Sequence, residues 1–314
     1  MNARAVVLNA PESLSLARVE LTPPGVGDVV VDVAWSGIST GTEKLLYTGR
    51  MPAFPGLGYP LVPGYETVGR VAEAGPEAGL SVGDHVFVPG SSGYRDVRGL
   101  FGGAASRVVV PGARALRVDP AWGERAVLLA LAATAHHALA GVPADLVVGH
   151  GVLGRLVARL SLLLSRHRDG PPPVVWERDP RRASGAADYP VVDPTTDPRR
   201  DYRVIVDVSG DDTILDALVE RLAPQGEIVL AGFYAGRPSF SFPPAFMREA
   251  RFRVAAEWRP EDLVAVRDLV ASGDLSLDGL VTHRAAADDA PVAYERAFGD
   301  AACLKMILEW GARP

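Results

Sequence analysis

The chain has 314 residues, 48% of them hydrophobic and 22% charged, and a formal net charge of −6. Such a chain is long enough for one large or two medium domains with a real core, and an acidic balance without a basic run excludes nucleic acid as an expected partner. A single cysteine, Cys303, excludes an internal disulfide, a cysteine-rich zinc site and an iron–sulfur cluster.

Residues 1–13 carry no signal-peptide apolar region. Runs at 5–8, 29–33, 68–72, 85–88 and 107–110 are rich in valine and separated by glycine and proline turn signals. They predict a β-rich unit over the first 120 residues or so. The longest apolar stretch, 126–142, is interrupted by His136 and His137 and is too short to span a bilayer. The cytoplasm is therefore the expected location. From about residue 121 the pattern becomes βαβ, with strands expected at 146–148, 174–176, 204–208, 227–230 and 252–255. That alternation predicts a parallel sheet covered by helices. A helix at 212–222 precedes the turn Pro224-Gln225-Gly226. An amphipathic helix is expected over 261–271, another helix near 291–298, and a last strand at 303–308. Cys303, in the apolar run 301–308, reads as a small core residue.

The strand at 144–148 runs into Gly149-His150-Gly151-Val152-Leu153-Gly154, followed by an apolar helix over 153–164. This is the G-x-G-x-x-G spacing in the strand–turn–helix context that a dinucleotide requires. The first glycine makes the turn, the second lets backbone approach a pyrophosphate, and the third lets helix and strand pack closely. The next strand ends at Glu177, a carboxylate placed to accept both ribose hydroxyls, which favours NAD. Arg178, with Arg181 and Arg182 just beyond, could instead hold the 2′-phosphate of NADP. His150 either fills a permissive position between the glycines or touches the pyrophosphate. His136 and His137 read as structural, because neighbours at i and i+1 do not share a helix face.

With these features in place, the chain resembles the medium-chain dehydrogenases/reductases over nearly its whole length. Gly37-Ile38-Ser39-Thr40-Gly41-Thr42-Glu43 is similar to the loop that carries the first catalytic zinc cysteine. Pro63-Gly64-Tyr65-Glu66 is similar to the segment that carries the zinc histidine. Val82-Gly83-Asp84-His85-Val86 matches the Gly-Asp-x-Val turn, and Thr134-Ala135-His136-His137-Ala138-Leu139 the helix leading into the nucleotide domain. The resemblance implies an α/β chain: a GroES-like β-rich catalytic domain over 1–121 and 259–314, and a Rossmann doubly wound parallel-sheet domain over 122–258. It also exposes departures. The ligand positions hold Ser39 or Thr40, Tyr65 and Ala130, and 90–103 replaces the four-cysteine lobe. No metal is expected, since none of these side chains is a credible zinc ligand. More narrowly, the loop at 36–43, Pro63-Gly64-Tyr65-Glu66 and the glycine turn resemble the bacteriochlorophyllide dehydrogenases. That family oxidises a 3-(1-hydroxyethyl) group on a tetrapyrrole to 3-acetyl in bacteriochlorophyll synthesis.

Without zinc another group must take the carbinol proton. Tyr65 and Glu66 are the expected proton-handling residues, with Ser39, Thr40 and Thr42 as relay hydroxyls. A carbinol on a conjugated ring eases the loss of a metal, because the π-system stabilises positive character as hydride departs. The segment 49–63, with Phe54 and Tyr59, offers rings that could stack on a flat macrocycle. Expected partners are thus NAD and a bacteriochlorophyllide-type tetrapyrrole, with a homodimer left open. Two other functions remain at this stage: a zinc-free NADPH quinone or enoyl reductase, and a non-catalytic nucleotide-binding protein of the pigment pathway.

Overall fold

The computed structural model describes residues 1–311 except 54, 187 and 235. In chain order the elements are β1 (Asn2–Ala10), β2 (Ser13–Glu20), β3 (Asp28–Ile38), α1 (Thr42–Tyr47), β4 (Leu61–Val62), β5 (Thr67–Ala74), β6 (His85–Val88), β7 (Arg98–Gly99), β8 (Arg107–Pro111), β9 (Leu116–Arg117) and α2 (Leu129–Leu139). There follow β10 (Leu146–Val148), α3 (Val152–Arg166), β11 (Val174–Trp176), β12 (Val191–Val192), β13 (Tyr202–Asp207), α4 (Leu215–Arg221), β14 (Leu222–Leu230), α5 (Phe242–Met247) and β15 (Arg251–Val254). The chain closes with α6 (Pro260–Ser272), β16 (His283–Ala286), α7 (Ala290–Gly299) and β17 (Met306–Glu309).

The chain divides into two compact units, Met1–Ala130 with Asp278–Pro314, and Leu131–Leu277. In the first, a sheet in the order β2-β1-β4-β7 accompanies a larger one in the order β16-β17-β3-β5-β6-β9, with β8 also paired to β3. β3 is its backbone: Val29, Val30, Val31 and Val33 are fully buried. Its register against β5 slips between Val30 and Val31 and again between Val33 and Trp35, and such bulges bend a strand. Cys303 is buried in this core with Met306, Leu308 and Trp310, as the sequence suggests.

The second unit holds one six-stranded sheet in the order β12-β11-β10-β13-β14-β15, parallel throughout. In strand order this is 3-2-1-4-5-6, the doubly wound nucleotide-binding arrangement, whose direction reverses between β10 and β13. Leu146, Val148, Ile205 and Ile228 line its core with Leu215 and Leu218 of α4. Ligands bind such sheets outside the carboxyl ends of the strands at that reversal.

Two readings change. The expected return to the β-rich unit at 259 falls instead at Asp278, because α6 is tied to α2. His136 Nδ1 and His137 Nδ1 lie 2.7 and 2.9 Å from the two carboxylate oxygens of Asp262, which also caps α6 by accepting from Arg259 N at 2.8 Å. One carboxylate spans two helix positions that do not themselves share a face. Pro224-Gln225-Gly226 is not a break before a strand but lies inside β14. Gln225 takes φ 59°, and the partner of Tyr202 is Leu222 while that of Val204 is Glu227, so the surplus residues bulge within one strand.

Candidate active site

The glycine turn sits at the carboxyl end of β10. Gly149 takes φ +100°, a left-handed conformation that glycine adopts without strain. A Cβ on Gly154 would lie 1.9 Å from the Gly149 carbonyl oxygen, so helix and turn are in contact there. Gly151 is the N-cap of α3 with no side-chain cap, and among the described residues beyond its chain neighbours a Cβ on it would meet nothing within 4 Å. Val152, Leu153 and Gly154 form the first helical turn, where amides and dipole favour an anion. The space over Gly151 and these amides fits a pyrophosphate.

Glu177 follows β11 as expected. Its oxygens accept from His150 N at 3.0 Å and Asp179 N at 2.8 Å, which holds the carboxylate beside the glycine turn. Arg178 is exposed and 3.6 Å from Asp211, while Arg181 forks onto Asp179. His150 is fully buried. Its ring nitrogens lie 2.6 Å from the Arg182 carbonyl oxygen and 3.0 Å from the Tyr189 hydroxyl, and burial pushes its pKa down. The imidazole is thus neutral and engaged within the protein. At the end of β13, Asp207 is fully buried, accepts from Tyr234 Oη at 2.6 Å and Ser209 N at 2.9 Å, and has its pKa raised by burial. Its buried place at a strand end was invisible in the sequence.

In the β-rich unit, three side-chain pairs come together around 37–43 and 65–66. The Tyr65 hydroxyl lies 2.8 Å from Ser39 Oγ and also hydrogen-bonds Thr42. Its ring packs edge-on against Phe101, centroids 5.4 Å apart. Burial first, and then the Glu66 charge, push the Tyr65 pKa well up, so this hydroxyl stays protonated through the neutral range. Thr40 is exposed on the loop.

Glu66 is fully buried, and its carboxylate is engaged by a lysine. Lys305 Nζ donates to its two oxygens at 2.8 and 2.6 Å and to the Ile38 carbonyl at 3.1 Å. A Cβ on Gly37 would come 2.2 Å from Glu66 Oε2, so this close approach needs a glycine. Breaking a buried ion pair from one side leaves an uncompensated charge and costs about 3–5 kcal/mol. Glu66→Gln should lose stability on that scale in chemical denaturation, and Glu66→Gln with Lys305→Met should regain most of it. A double variant as unstable as the single one would contradict the coupling.

Glu43, from the first turn of α1, is also fully buried. It accepts from Ser39 N at 3.0 Å and from Tyr294 Oη at 2.6 Å, and burial raises its pKa to about 7. A folded-state value raised above the ordinary 4.5 gives stability that is present below the unfolded value and lost as pH rises through about 7. Relative to Glu43→Gln, the native protein should therefore lose about 3 kcal/mol between roughly pH 4 and pH 7.5. Parallel stability profiles for the two proteins would exclude this. Glu43, Tyr294 and Lys305 were not among the expected site residues. The one available signal was a lysine inside the apolar run 301–308, since a lone charge there needs a buried partner.

Two further expected residues belong to 49–63. Phe54 lies outside the described residues. The Tyr59 hydroxyl donates to the Leu46 carbonyl, and its ring packs against the cluster of Leu8, Leu46, Met51, Leu61 and Leu100, so it anchors the loop.

The positions that hold zinc in related enzymes do not fit the metal. Ser39 and Tyr65 bond each other, Ala130 offers a methyl group, and among the described residues no three His, Cys, Asp or Glu side chains gather as a metal site. No helix among them is long and apolar enough to cross a membrane.

Residues 25–120 match the alcohol dehydrogenase GroES-like domain. The chain is 56% identical to the 2-desacetyl-2-hydroxyethyl bacteriochlorophyllide A dehydrogenase of Cereibacter sphaeroides, over 99% of each chain. It is 55% identical to the enzyme of that name from Rhodobacter capsulatus, again over 99% of each. Its fold is shared with a short chain alcohol dehydrogenase from Escherichia coli CFT073 solved with NADH, with a TM-score of 0.81, 22% identity, and 98% of this chain and 99% of that one covered. The glycine turn, the doubly wound sheet and these relatives agree: the chain belongs to the bacteriochlorophyllide dehydrogenase family of the medium-chain dehydrogenases/reductases.

Proposed function

We propose that the chain oxidises the hydroxyethyl group of a bacteriochlorophyllide to an acetyl group, with hydride passing to NAD and no metal taking part. The observation that carries this reading is 56% identity over 99% of the chain to a relative of that name. The C–H bond of the carbinol gives up a hydride, the O–H bond gives up a proton, and a C=O bond forms.

The residues fit the cofactor. Gly149, Gly151 and Gly154 with the first turn of α3 would hold the pyrophosphate, and Glu177 would hold the adenosine ribose. When bound, the nicotinamide supplies the hydride acceptor. The neutral Tyr65 hydroxyl receives the carbinol proton only as it passes its own to Ser39 Oγ, 2.8 Å away, or to Thr42. It is therefore a relay and not a base. Ser39 or Thr42 then passes a proton on towards solvent; Thr40, on the same loop, is exposed. Glu66, neutralised by Lys305, keeps the 65–66 segment in place. The loop anchored by Tyr59 offers its Pro-rich surface to the macrocycle.

NAD is favoured over NADP because Glu177, held by two backbone amides, would repel a 2′-phosphate, while Arg178 and Arg181 face Asp211 and Asp179. Incubation with the hydroxyethyl bacteriochlorophyllide and either cofactor tests the reading. The long-wavelength band should shift red as the new ketone joins the conjugation, and kcat/KM should be higher with NAD. Glu177→Ala should narrow that preference. Equal or better use of NADP moves recognition to Arg178, and no turnover with either cofactor overturns the function.

A further inference from the structure

Arg155 occupies the second turn of α3, directly after the glycine motif, and is 4% exposed. Its guanidinium donates only to backbone carbonyls: His150 at 3.1 Å, Gly185 at 3.0 Å, Arg182 at 3.0 Å and Ser184 at 2.7 Å. Among the described residues no carboxylate lies within 4 Å of it, whereas every other buried cation has one: Lys305 pairs with Glu66. The Arg182 carbonyl is shared with His150 Nδ1. One cation and one imidazole thus staple the segment 182–185 to the glycine turn.

Two physical facts make this more than packing. A buried cation bonded only to carbonyl dipoles, with the Glu177 charge acting on it from beyond contact distance, is short of negative charge. It also stands near a helix N-terminus, where the dipole disfavours positive charge. An anion seated on the first turn of α3 would relieve both. The stapled segment, in turn, is the continuation of the chain from Glu177, the residue facing the ribose.

We propose that Arg155 is a positioning residue for the adenosine half of the cofactor, holding 182–185 against the glycine turn so that the wall beyond Glu177 is already formed before the cofactor binds. This rests on the reading of the glycine turn as the cofactor cradle. The charge of Arg155 and the pyrophosphate complement each other, so binding and loop order reinforce one another. Lysine cannot substitute, because a point charge cannot reach four carbonyls that a planar fork spans.

The test is calorimetric binding of NAD and of ADP-ribose to the native protein, Arg155→Lys and Arg155→Met, with thermal unfolding of each. Arg155→Lys keeps the charge, so the test stands even if Arg155→Met fails to fold. Both ligands should bind ~10-fold or more weakly to Arg155→Lys. KM for NAD should rise while kcat at saturating NAD holds, and trypsin should cut at Arg181–Arg182 in the variant faster than in the native protein. Native-like affinity and trypsin resistance in Arg155→Lys would overturn the proposal. So would equal losses in kcat and affinity, which indicate general disruption. Failure of the native protein to bind ADP-ribose would instead overturn the cradle itself, and the purpose of the staple with it.

Discussion

Gly151→Val should weaken NADH binding ~10²-fold or more while leaving the protein folded. The two halves of that expectation come from one position. Among the described residues, and apart from its own chain neighbours, nothing lies within 4 Å of the Cβ that the substitution adds, and the backbone there, φ −72° and ψ −170°, is extended and open to a β-branched residue. The protein therefore has no reason to object. The new methyl groups enter the space above the amides of α3, which the pyrophosphate needs. Gly154→Ala should behave in the opposite way. Its Cβ would lie 1.9 Å from the Gly149 carbonyl oxygen, so the turn must shift and stability falls along with binding. Fluorescence titration with NADH and thermal unfolding separate the cases. Undiminished NADH affinity in folded Gly151→Val would place the cofactor elsewhere.

Tyr65→Phe should lower kcat by ~10²-fold or more, the usual scale for a lost proton-transfer group. The ring remains, with its edge-on contact to Phe101, so binding of cofactor and pigment should change little. What disappears is the hydroxyl 2.8 Å from Ser39 Oγ. Ser39→Ala removes the other half of the relay and should reduce kcat in the same direction. Combining the two should cost much less than the product of the single effects, because residues acting as one unit are not additive. Because burial drives the Tyr65 pKa upward, the native pH–rate profile should show no tyrosine ionisation below its ordinary value of about 10. Near-native turnover in Tyr65→Phe would reject the relay, whatever Glu66→Gln does. The latter variant cannot decide the question, since removing the Glu66 charge also strands Lys305 in the core.

What was legible in the sequence follows from the range of the interactions involved. β6, β10 and β11 lie at the residues expected, because a buried strand is a short apolar run closed by turn residues. The glycine turn was legible because all of its constraints lie within six residues. α6 was visible as a helix, but its unit was not, because that depends on Asp262 meeting His136, 126 residues away. The polar pairs of the β-rich unit were hidden for the same reason. Glu66 and Lys305 are separated by 239 residues, and Glu43 and Tyr294 by 251. Tyr65 and Ser39 were each singled out, yet no local pattern says that two side chains 26 residues apart share a hydrogen bond. Glu66 seemed free to act as a base because its partner lay in a run that otherwise reads as core.

Metal-free hydride transfer from the hydroxyethyl carbinol leaves an isotopic trace. It is tested most directly with a hydroxyethyl bacteriochlorophyllide deuterated at the carbinol carbon, supplied with NAD to chelator-treated protein. One deuterium should appear on the reduced nicotinamide for each acetyl product formed, at a rate that neither chelation nor added zinc alters. Reduced nicotinamide without label, or activity that vanishes on chelation and returns with zinc, would contradict it.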